Sequence, residues 1–157
     1  MAQIRNTIDL ILSKILVILM ALMVVNVLWQ VASRFLLGSP SSFTDELARY
    51  LMIWIGILGA AYVSGKNLHV SIDVLARRFS EGGQRKIKTL VAILIIMFCL
   101  GAMVVGGGRL VYITHVLGQH SPALQLPLSV VYSIIPISGL LIVFYKISDL
   151  INHRTWS

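Results

Sequence analysis

Three formal charges, Asp45, Glu46 and Arg49, stand in the first turns of a segment otherwise apolar and long enough to cross a membrane, SFTDELARYLMIWIGILGAAYVS. Charges at a bilayer boundary are costly unless paired or held against protein, so the chemistry this trio offers is adhesion between helices or subunits. Arg49 lies three residues from Glu46 and four from Asp45, within reach of an intrahelical ion pair. Ser42 or Thr44 can cap the helix, and the two carboxylates complement its positive end. A second polar set, Asn26, Gln30 and Arg34, repeats at i, i+4 and i+8 in the preceding apolar run. Amides in hydrocarbon seek interhelical hydrogen bonds, so this stripe faces protein, and Arg34 is placed to meet Asp45 and Glu46 across the two helices.

Other chemistries lack their residues. The apolar centres carry no carboxylate of the kind a proton-coupled exporter needs, and His69, His115, His120 and His153 lie at segment ends or in loops, not as facing pairs for haem. His115 and His120 have no third ligand to complete a metal site. The single Cys99 cannot run thiol exchange and reads as a packing residue. Gly106-Gly107-Gly108-Arg109 follows no strand, so it is not a phosphate loop.

The elements that position these residues follow from composition. The 157 residues are 57% hydrophobic and 12% charged, with a mean hydropathy of +0.88. That is an all-α integral membrane protein. Four segments reach the roughly 20 residues a spanning helix needs: about 15–36, 44–64, 87–116 and 127–147. They predict a single domain over 8–150, a four-transmembrane-helix bundle. The first span is too long for a signal-peptide core and reads as an uncleaved anchor.

Between the second and third spans, 68–80 reads as an amphipathic segment lying in the interface, its His69 in the leading turn and Asp73, Arg77 and Arg78 on the polar side of the short helix that follows. Ten of the 13 Lys and Arg residues lie before the first span, in or at the edge of that connection, or near the C-terminus. The asymmetry predicts a cytoplasmic middle connection and cytoplasmic termini. The net charge of +7 then needs no nucleic acid to explain it.

On the second span, helical spacing puts Asp45, Arg49, Gly56, Gly59 and Ala60 on one face and Trp54 on the other. Gly56-x-x-x-Ala60 is a small-xxx-small pair that lets backbones approach. Spacing leaves open whether that face packs within the chain's own bundle or against a partner. In the fourth span Pro136 frees the carbonyl of Tyr132 and predicts a kink, with Ser133, Ser138 or a neighbouring helix compensating.

The Asn26 to Arg34-Phe35 end of the first span, DELARYLMIWIGILGAA at 45–61, KNLHVSIDVL at 66–75 and SPALQLP followed by Pro136 together resemble the small membrane subunit of TRAP (tripartite ATP-independent periplasmic) transporters, the DctQ-like family. The resemblance covers about residues 8–150. It implies a non-enzymatic subunit of the bacterial inner membrane, assembled with a large multi-span subunit and a periplasmic substrate-binding protein. The transporter would import an organic acid such as a sialic acid, a C4-dicarboxylate or a sugar acid on a sodium gradient. The sodium sites would belong to the large subunit, which the small one binds and braces during an elevator-like movement, and this chain would hold no cofactor. By position, Ser121, Pro122 and Pro127 join Asp45, Glu46 and Arg49 as candidates for the face near the periplasmic protein. A helical membrane scaffold of some other complex is the alternative.

Overall fold

A computed structural model describes residues 2–36, 38, 42–66 and 81–151. The predicted interfacial segment, with His69, Asp73, Arg77 and Arg78, lies outside the described residues.

Four helical spans make up the described chain, and no strand occurs among the described residues. The first, α1, runs Ala2–Leu36 and begins well before the apolar run. Helix α2 is Ser42–Gly65. The third span starts as α3, Glu81–Phe98, opens into a π-helical stretch, Cys99–Gly106, and closes as α4, Gly107–Val116. The fourth is α5, Leu128–Tyr132, followed by α6, Ile134–Ile151.

Extensive contacts join α1 to α2, α2 to α6, and α6 to α3 and the π stretch, whereas α1 and the third span share no comparable contact. The bundle is therefore open, a row of helices in the order first, second, fourth, third. Two buried clusters hold it: Leu12, Leu58, Ile134 and Tyr145 at one seam, and Ala61, Cys99, Ile142 and Val143 at the other. A row leaves broad helix faces exposed, among them Val17, Val25, Trp29 and Met52. In lipid such faces carry no hydrophobic penalty, so apolar exposure here sets where protein can dock and not how stable the chain is.

The third and fourth spans are irregular at the same depth and interlock there. Gly139 lies so close to the π stretch that an added Cβ would stand 2.7 Å from Met103 Cβ and 3.4 Å from the Cys99 carbonyl oxygen. Reciprocally, a Cβ on Gly107 would stand 2.8 Å from Ile135 Cγ2 and 3.2 Å from Pro136 Cδ. The helix does continue through the glycine run, giving a 31-residue span. At about 1.5 Å per residue this exceeds the roughly 30 Å hydrocarbon core, so the third span must tilt or extend beyond it.

The break expected from Pro136 falls at Ser133, between α5 and α6. Ser133 Oγ donates to Val130 O at 2.7 Å, and the Trp54 indole N–H of α2 donates to Val131 O at 3.1 Å. Ser133 and a neighbouring helix thus satisfy carbonyls next to the break, while Ser138 is buried with no hydrogen-bond partner among the described residues. Trp54→Phe should keep the packing and lose the indole donor. We expect a loss of about 1 kcal/mol, read as a melting point lower by roughly 3 °C in detergent.

Candidate functional site

The charged start of α2 divides into two jobs. Asp45 stays exposed and pairs with Arg49 Nη2 at 3.2 Å, one turn on. Their side chains are 59% and 67% exposed, so this pair contributes little to stability. Glu46 turns the other way. Its Oε2 accepts the backbone N–H groups of Ala123 and Leu124, each at 2.9 Å, and its Oε1 accepts Tyr50 Oη–H at 2.9 Å. Two successive amides converging on one carboxylate oxygen form a small anion-holding nest, and the charge strengthens both bonds.

The loop so held is compact in its own right. Gly118, at φ +58°, ends α4 with Gly118 N–H to His115 O and Gln119 N–H to Thr114 O, both at 3.1 Å, a Schellman-type stop that needs the left-handed conformation glycine supplies. Within the loop Ser121 N–H meets Leu126 O at 2.9 Å and Gln125 N–H meets Ser121 O at 3.0 Å, and Leu128 N–H returns to Gln119 O at 3.0 Å. Pro127 then caps α5 with extended backbone. Of the three loop residues singled out by the sequence, Pro122 and Pro127 are exposed, whereas Ser121 is fully buried and supports the loop from inside.

The polar stripe of α1 does face protein, with one correction. Asn26 Nδ2 donates to Thr44 O at 2.8 Å and Gln30 Nε2 to Asp45 Oδ1 at 3.4 Å. The cross-helix contact expected of Arg34 is made by Gln30 instead, and Arg34 is exposed. The reason is axial: Arg34 stands about one turn, or about 5.4 Å, further out than Gln30.

On α2 the face carrying Trp54 is the one the bundle takes: Leu51, Leu58 and Ala61 are buried on that side. Gly56 and Ala60 are exposed, and a Cβ on Gly56 or Gly59 would meet nothing within 4 Å. The face of Arg49, Gly56, Gly59 and Ala60 is therefore turned away from this chain's own helices, with Asp45 at its edge within reach of Gln30.

At the opposite end lies a cluster that inspection of the sequence passed over. Arg5 Nη1 meets Asp149 Oδ1 at 2.6 Å, its Nη2 donates to the Gly65 carbonyl, and its guanidinium sits over the Tyr145 ring at 5.5 Å. Tyr145 is fully buried and donates to Asp9 Oδ1 at 2.6 Å, while Lys66 Nζ approaches Asp9 Oδ2 at 3.3 Å. Buried Lys146 lies 3.9 Å from Asp149 Oδ2. These groups join the ends of α1, α2 and α6. The signal that could have found them is an anion inside a cation-rich end: counting basic residues alone leaves Asp9 and Asp149 unexplained.

No group of three or more His, Cys, Asp or Glu side chains is placed to hold a metal ion among the described residues. Asn26, Glu46, Trp54 and the cluster around Asp149 join helix to helix and helix to loop in a protein of four helices long and apolar enough to cross a membrane. Comparison with known proteins gives the family. Residues 23–155 match the family of tripartite ATP-independent periplasmic transporters, DctQ component. The chain is 30% identical over 134 residues to a putative TRAP transporter small permease protein of Haemophilus influenzae, covering 85% of this chain and 81% of that one. It is 28% identical to the ectoine TRAP transporter small permease protein TeaB of Halomonas elongata, over 98% of this chain and 83% of that one. With the sialic acid TRAP transporter small permease protein SiaQ of Vibrio cholerae it shares 30% identity, over 67% of this chain and 60% of the relative. This chain belongs to the DctQ family, and it is a transporter component rather than an enzyme.

Proposed function

We propose that this chain is the small membrane subunit of a sodium-gradient-driven importer, and that it binds and braces a large multi-span subunit through the open face of α2. The carrying observation is the direction of that face: Gly56, Gly59 and Ala60 point away from the chain's own helices, with open space beyond both glycines. A partner helix could approach closely there, as small residues allow in lipid. The exposed Asp45 and Arg49 would bound the contact at its outer end. The cross-linked inner ends of α1, α2 and α6 suit a part that stays still while its partner moves.

In this reading the protein lies in the bacterial inner membrane with both termini cytoplasmic. A periplasmic binding protein delivers an organic acid, such as a sialic acid, a C4-dicarboxylate or a sugar acid, and substrate and sodium bind to the large subunit. The relatives are named for unlike solutes, ectoine and sialic acid, which supports placing specificity in the partners.

Purification of the tagged chain in nanodiscs from its native host, followed by identification of what accompanies it, tests the reading. A large multi-span protein should come with it; a self-assembled oligomer without one would sink the proposal. Gly56→Leu combined with Ala60→Leu should lower recovery of that partner about tenfold while leaving the chain's own melting unchanged. Equal recovery from the double variant would move the interface elsewhere.

A further inference from the structure

The geometry points to Glu46 as a positioning residue: an internal clamp that fixes the shape of the outer loop Gln119–Leu128, so that the periplasmic binding protein meets a preformed surface. This rests on the reading above for the partner's identity, but the clamp itself is independent of it.

Glu46 is an unusual use of a carboxylate at a membrane boundary. It forms no ion pair with Arg49, which is taken by Asp45. It spends one oxygen on the amides of Ala123 and Leu124 and the other on Tyr50, from a helix 77 residues away along the chain. Trp54, two turns further along α2, holds Val131 of α5. One helix thus anchors both the loop and the short helix that follows it.

The loop also has more internal order than a connection requires. Besides its backbone bonds, Leu124 N–H reaches Ser121 Oγ at 3.3 Å and Gln125 Nε2 reaches Pro122 O at 3.1 Å. Gln125 is held at φ +55°, a left-handed conformation that costs a non-glycine residue free energy and persists only where its surroundings impose it. The outer surface that results carries no Lys, Arg, Asp or Glu: beside Gln119 and His120, the exposed residues are Pro122, Ala123, Gln125, Leu126 and Pro127, while the carboxylate that shapes them is half-buried. Rigidity in an exposed loop strengthens recognition by reducing the ordering cost on binding. A rim of prolines, an alanine, a leucine, two amides and one imidazole, with no Lys or Arg, suits a soluble protein docking from the aqueous side; a hydrated small acid would seek fixed cations.

Two measurements test this on the chain and on the whole transporter. In hydrogen exchange on the chain in nanodiscs, Glu46→Ala should speed exchange of Ala123 and Leu124 by roughly tenfold or more, confined to 119–128. Glu46→Gln, whose amide oxygen still accepts, should fall between wild type and alanine. In the assembled complex, titration with the transporter's own fluorescently labelled periplasmic binding protein should show Glu46→Ala raising the half-saturating concentration about tenfold, with the large subunit still recovered in full. Leu126→Lys should weaken that titration without changing exchange at Ala123 and Leu124.

Unchanged exchange in Glu46→Ala would overturn the clamp. Faster exchange with an unchanged titration would overturn its role in recognition, and loss of the large subunit would reassign Glu46 to assembly. If the wild-type chain brings no large subunit, the reading of the preceding subsection fails instead, while the exchange result still stands or falls by itself.

Discussion

Replacing Asp149 by leucine should cost about 3 kcal/mol or more, enough to lower the melting point in detergent by roughly 10 °C. The carboxylate is 6% exposed and meets Arg5, itself 17% exposed, at 2.6 Å, with buried Lys146 at 3.9 Å. Leucine keeps the volume but leaves two cations without that carboxylate in a site where water cannot fully replace it. Removing one partner of a buried pair is costly mainly because of the charge that stays behind. Lys146→Met in the same background should therefore recover part of the loss.

The comparison that decides this is Asp45→Asn, which removes the carboxylate of another Arg–Asp pair of ordinary length. Both of its side chains are more than half exposed, so its expected effect is within about 0.5 kcal/mol. Equal shifts from Asp149→Leu and Asp45→Asn would show that the Asp149 cluster is solvated, contrary to its burial.

Gly139→Val and Gly65→Ala should each destabilise the chain by about 1–3 kcal/mol, whereas Gly56→Ala and Gly101→Ala should not. At Gly139 the new Cβ meets Met103 Cβ at 2.7 Å, an atom fixed to the backbone of the π stretch, so one span must move away from the other. At Gly65 the obstacle is the Tyr145 ring, with Cζ at 2.7 Å. A flexible side-chain tip would yield, but this ring is fully buried and its hydroxyl is bound to Asp9. Gly56 and Gly101 have nothing within 4 Å of the added carbon. Size-exclusion profiles against temperature, with the four variants side by side, check the ranking. An indifferent Gly139→Val would mean that the third and fourth spans are not interlocked.

Much of the fold was legible because it depends on local chemistry. Length and apolarity set four helical spans, since only a helix satisfies its own backbone in lipid. Pro136 marked the break, which falls at Ser133, because a missing N–H and a ring clash act within one turn. The regular spacing of Asn26 and Gln30 marked a face toward protein, and both reach α2. Their neighbour Arg34 shows the limit: periodicity gives a direction around the helix but not the height of the next helix, and Gln30 makes the contact instead.

What the sequence determined by itself, then, was the solvent, the number of spans, the break in the last one and the two possible faces of α2. Tertiary structure alone decided which of those faces the chain keeps, that Glu46 holds amides 77 residues away, and that Arg5, Asp9, Lys66, Tyr145, Lys146 and Asp149 meet at one end. Helical periodicity and hydropathy are properties of one segment, fixed by its own backbone geometry. Contacts between segments depend on how four helices are ordered and offset, and a row rather than a ring is a choice that no single helix encodes.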